Sequence, residues 1–120
     1  MRYLLILALM LLLLAPEAHA ENDPVEAAKA LALTELRDPG SARFATAAVL
    51  PGARNARGEP VKAVCGSISA RNGFGGMSAD SAFVVDLSDG TAYLTDPTIA
   101  RTPYKAQVGG FVYNHLCLGH

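Results

Sequence analysis

The sequence has no surplus of either charge, no apolar run long enough to span a membrane and almost no cysteine, and each shortage narrows what the protein can be. Its ten Lys and Arg stand against eleven Asp and Glu, so no bulk field draws it to nucleic acid or to an anionic membrane. The basic stretch Arg54, Arg57, Lys62 and Arg71 has no interleaved aromatic apart from Phe74, which also disfavours nucleic-acid binding and reads first as a solvated face. The longest apolar run, Tyr3 to Ala15, is thirteen residues, against the roughly 20 that a membrane-crossing helix needs. No Gly-x-Ser-x-Gly elbow, Ser-x-x-Lys pair, phosphate loop or His-Glu-x-x-His segment is present, nor any internal repeat.

What is present begins with a three-part export signal: Arg2, the apolar run, then Pro16, Glu17 and the small-residue triplet Ala18-His19-Ala20. Cleavage is predicted after Ala20, leaving residues 21–120 as one small globular domain, periplasmic or secreted, with no stable membrane insertion. No cysteine lies near that junction and no arginine pair precedes the run, which argues against a lipid anchor and the twin-arginine route. In an oxidising compartment the two cysteines, Cys65 and Cys117, are expected to pair. A loop of that span removes about 4 kcal/mol of chain entropy from the unfolded state.

Along the mature chain, Asp23, Pro24 and Glu26 have the order of an N-cap, a first-turn proline and a capping-box acid. A helix is predicted from Pro24 to Arg37, with Val25, Ala28, Ala32 and Leu36 on one face, ended by Asp38-Pro39-Gly40. Ala42 to Leu50 alternates weakly and reads as a strand, and Pro51 to Glu59 as a loop. Val61 to Ser69 alternates better, with Val61, Ala63 and Cys65 on one face and Val64 and Ile68 on the other, a strand that can be covered on both sides. Ala82 to Leu87 and Thr91 to Thr95 flank Ser88-Asp89-Gly90, a hairpin signal. At the carboxyl end Tyr104, Val108, Phe111, Val112 and Leu116 recur at helical spacing, while Gly109-Gly110 favours extended chain or a broken helix. The expected fold is α+β in two layers: an N-terminal helix on a small antiparallel sheet of three to four strands, and a short C-terminal helix or extended segment tied back by the disulfide.

Three strings occur in order: Leu36-Arg37-Asp38-Pro39-Gly40-Ser41-Ala42-Arg43-Phe44, Val64-Cys65-Gly66-Ser67-Ile68 and Asn72-Gly73-Phe74-Gly75-Gly76-Met77. Together they resemble a family of small exported bacterial proteins of unknown function, with a Leu-x-Asp-Pro-x-Ser-Ala-x-Phe segment and a Val-Cys-Gly strand leading to an Asn-x-Phe-Gly-Gly loop. This chain departs from that pattern at Ser69, where the resemblance implies Asn, and at Met77, where it implies an aromatic. The resemblance implies export and fold, and transfers no catalytic role to any residue.

Several chemistries compete for the remaining residues. A thiol enzyme would pair Cys65 or Cys117 with His115, but a disulfide consumes both thiols. Zinc at His115, Cys117 and His120 lacks the paired spacing of structural sites, and Asp86 to Gly90 is a fragment of a calcium loop without its later acid. Asp86, Asp89 and Asp96 contain no hydrolase motif, and Asp89 suits a turn. No cofactor and no metal are expected. The loop Arg71, Asn72, Phe74, Gly75, Gly76 and Met77 remains: glycines allow close backbone approach and an exposed aromatic anchors interfaces. Against this, Phe74 would fold back as a core plug. The expectation is a binding module for an unknown envelope protein or ligand. The alternatives are a small envelope enzyme, for which His115, Asp86 and Arg71 would have to converge in one pocket, and a structural accessory protein.

Overall fold

A computed structural model describes residues 23–119; the segment read as a signal peptide, and His120, lie outside the described residues. Helix α1 (Pro24–Leu33) is therefore the first described element. Asp23 Oδ1 accepts the amides of Val25 at 3.0 Å and Glu26 at 3.4 Å, and Pro24 occupies the first turn, where a missing N–H is harmless. The helix ends at Leu33 rather than at the predicted Arg37. Thr34 turns its hydroxyl back onto the Leu31 carbonyl at 2.6 Å, and Leu36 leaves the helical path to form a β-bridge with Ala100 while remaining fully buried.

Four strands follow, β1 (Arg43–Leu50), β2 (Ala63–Ser69), β3 (Ser81–Asp86) and β4 (Thr91–Leu94), paired antiparallel in chain order. The predicted hairpin is β3–β4, with Gly90 at φ +75°. Strand β1 is an edge strand, bulged between Phe44 and Thr46. Next to that bulge Gly66, the partner of Ala47, is required by space: a Cβ there would overlap the Thr46 carbonyl oxygen and lie 2.7 Å from the Phe83 ring, which itself packs edge-on against Phe44 at 5.4 Å.

Helix α2 (Pro103–Cys117) makes the carboxyl end the helix rather than the extended segment, of the two forms expected. It runs unbroken through Gly109-Gly110. Gly109 is buried where a Cβ would collide with the Leu94 carbonyl, so this glycine lets the helix lie directly on β4. The Cys65–Cys117 disulfide, with Cα atoms 6.1 Å apart, fastens the last residue of α2 to the middle of β2 across 52 residues of sequence.

The α+β class stands, but two layers become three. Side chains alternate across a strand, and Val64, Ile68, Phe83, Val85 and Leu94 pack with Ala28 and Ala32 of α1. Their neighbours Ala63, Cys65, Val84 and Tyr93 pack with Val112, Leu116 and Cys117 of α2. The helices therefore cover opposite faces, which is why Phe83-Val84-Val85 is buried without interruption. Among the described residues no helix is long and apolar enough to cross a membrane.

Candidate functional site

The β2–β3 connection carries the loop singled out by sequence, and it is a built object rather than a slack turn. Arg71 and Met77 bridge its base, and the Asn72 amide donates to the Gly76 carbonyl at 2.8 Å. The Asn72 side chain fills the interior: its Oδ1 accepts the amides of Phe74 at 2.9 Å and Gly76 at 3.2 Å. Gly75 takes φ +92°, which a side chain would strain. Arg71 Nη1 donates to the Gly75 carbonyl at 3.2 Å, so the loop backbone is held from within while the side chains of Phe74 and Met77 take no part in holding it.

The tip is also fixed to the rest of the molecule. The Arg71 amide donates to Ser41 Oγ at 2.8 Å, Arg71 Nε lies 3.3 Å from Asp38 Oδ2, and the Gly73 amide donates to the Thr98 carbonyl at 3.0 Å. The first and third strings that carried the family resemblance thus meet at one end of the sheet, joined by the second, which forms β2.

On this rigid support Phe74 is 89% exposed, and Met77 is 42% exposed. The core-plug reading of Phe74 is therefore overturned: the Asn72-centred hydrogen bonds turn the chain outward before the ring can reach the core. Beside the ring lies a shallow hollow of about 320 Å³ bounded by Arg37, Phe74 and Thr98.

A second concavity lies at the opposite end of the sheet. It is an open cleft of about 460 Å³ between α2 and the β3–β4 hairpin, walled by Tyr93, Phe111 and Leu116 and edged by Asp86, Asp89 and His115. Sequence reasoning named Asp86 and His115 but gave no sign that Tyr93 and Phe111 would stand beside them. Of the three residues whose convergence an enzyme would need, Asp86 and His115 share this cleft and Arg71 does not. Arg71 follows β2 at its far end, whereas Asp86 pairs with Ala63 at the start of β2.

The remaining candidates disperse. Arg57 pairs with Glu59 at 3.2 Å and Arg54 donates to the Gly58 carbonyl at 2.7 Å, both within the 51–60 loop, so they form no common patch with Arg71. Cys117 is committed to the disulfide, which removes the thiolate from the His115, Cys117 and His120 set. Asp96 Oδ1 accepts the Thr98 amide at 2.8 Å and the Thr98 hydroxyl at 2.7 Å, a turn role.

No protein-family model, curated protein or solved structure matches the chain, so the reading of its function rests on these two concavities and the tip beside the first of them.

Proposed function

We propose that the protein is exported, is cleaved after Ala20 so that α1 leads the mature chain, and acts as a binding module that engages an envelope protein or ligand through the Phe74 tip. The observation that carries this reading is the 89% exposure of an aromatic side chain on a tip whose backbone is fixed from within by Asn72. A ring held in water contributes nothing to the core, and a rigid support means little conformational entropy is lost when a partner covers it.

The test is site-specific photocrosslinking in the producing cell, with a photoreactive phenylalanine analogue at position 74 and, as a control, at the exposed Arg57. One discrete adduct from position 74, absent from position 57 and lost when Asn72→Ala loosens the tip, supports the reading. Equal or absent adducts at both positions overturn it. Amino-terminal sequencing of the exported protein is expected to begin at Glu21; retention of Met1 would sink the export component.

A second reading, a small envelope enzyme, is favoured by one observation: Asp86 and His115 face the same cleft. Thiol chemistry is closed to it, since Cys65 and Cys117 are bonded to each other. Under the binding reading, Asp86→Asn and His115→Gln leave the Phe74 adduct unchanged.

A further inference from the structure

The cleft on the α2 side has a charge that its surroundings do not balance. Asp86 is only 8% exposed, yet it takes part in none of the ion pairs among the described residues. Its Oδ1 accepts the Ser88 amide at 2.8 Å, a single neutral donor. A buried carboxylate without a countercharge favours a cation that sheds its water cheaply, as an organic ammonium does and a small metal ion does not. Asp89 adds a second carboxylate at the rim, engaged with the Thr91 amide at 3.0 Å and with the Thr91 hydroxyl.

Two further features have the same sign. His115 and Leu116 belong to the last turn of α2, where backbone carbonyls without intrahelical partners carry partial negative charge. Among the described residues no Lys or Arg lines the cleft. Lys105, whose ammonium stands 5.3 Å from the Tyr93 ring centre, is already neutralised by Glu35 at 2.7 Å. It shows that this ring accepts an ammonium group on one face. Phe111, which also lines the cleft, is 77% exposed, an aromatic surface that the fold itself leaves uncovered.

We propose that this cleft binds an organic cation, an ammonium group carried on an aromatic or branched apolar body, with Asp86 taking the charge and Tyr93 and Phe111 holding the body. Ammonium over aromatic faces beside a desolvated carboxylate is the chemistry that selects such ligands over neutral or anionic ones. The cleft volume of about 460 Å³ admits a one-ring amine with room for substituents. The site is separate from the Phe74 tip, at the other end of the sheet, so it stands or falls independently of the partner proposed there.

The test is an NMR titration of the isotopically labelled, disulfide-bonded protein with benzyltrimethylammonium, and in parallel with phenylacetate and with sodium chloride. Saturable shifts confined to the amides of residues 86–91 and 111–116, at least tenfold weaker for phenylacetate and absent for salt, are expected. Asp86→Asn keeps the acceptor for Ser88 and should weaken binding at least fivefold with the spectrum otherwise native. Phe111→Ala removes only an exposed ring and should weaken it about threefold. Equal response to phenylacetate, response to sodium alone, unaltered affinity in both variants, or shifts of the same amides on protein dilution without ligand, as a second copy covering α2 would give, each overturn the proposal.

Discussion

Arg71 Nε lies 3.3 Å from Asp38 Oδ2, and this contact ties the loop that presents Phe74 to the turn that follows α1. Both side chains are about half exposed, so the pair is worth less than about 1 kcal/mol of global stability. Its effect is local. Arg71→Ala also removes the donor to the Gly75 carbonyl, and amide exchange of Phe74 and Gly76 is expected to speed up several-fold while the unfolding midpoint barely moves. Unchanged exchange would show that Asn72 alone holds the tip.

The two adjacent helical glycines should respond in opposite directions. A methyl at Gly109 collides with the Leu94 backbone, and Gly109→Ala is expected to cost about 2 kcal/mol or more. At Gly110 a Cβ meets nothing within 4 Å, and Gly110→Ala is expected to stabilise by about 0.5–1 kcal/mol through helix propensity. Urea denaturation of both variants decides it; equal effects would contradict the packing of α2 on β4.

Removing the covalent link should be costly in proportion to the loop it closes. With Cys65 and Cys117 separated by 52 positions in sequence, the paired Cys65→Ala, Cys117→Ala protein is expected to lose about 4 kcal/mol. The comparison is between denaturation curves of the oxidised protein and the double variant. A loss under about 1 kcal/mol would mean that α2 is held by packing alone.

Phe74→Ala is expected to change stability by less than about 0.5 kcal/mol, because the ring leaves no buried contact behind. Gly75→Ala, one residue on, forces a side chain into φ +92° and should cost about 1–2 kcal/mol. A large loss in Phe74→Ala, seen as a lowered thermal midpoint, would restore a core role for the ring.

Local chemistry was legible in the sequence and long-range placement was not. The Asp23 cap, the Asp89-Gly90 hairpin and the disulfide each depend on residue types at fixed spacing, and each is found. The two apolar faces of Val61 to Ser69 imply cover on both sides, but Gly109-Gly110 leaves the carboxyl-terminal segment open between helix and extended chain, and the two-layer expectation puts no helix on the second face. Gly109 hid that helix: a glycine chosen for close packing and one chosen to break a helix look alike until the neighbouring strand is in place. At the site, the glycines marked the loop, but whether Phe74 pointed in or out depended on Asn72 bonds that sequence does not display. Tyr93 and Phe111, in β4 and α2, meet at the cleft only through tertiary packing.

The cross-link between β2 and the end of α2 also divides the chain mechanically. Tension applied to the two ends of the described segment passes through the sulfur bridge, leaving β3, β4 and α2 inside a ring that bears no load. Pulling the oxidised protein should release a contour of only roughly 150 Å, from the stretch before Cys65, and the reduced protein more than twice that. Helix α1 and strand β1, both outside the ring, are then the elements that give way, while the hairpin and helix that wall the cleft keep their shape under force.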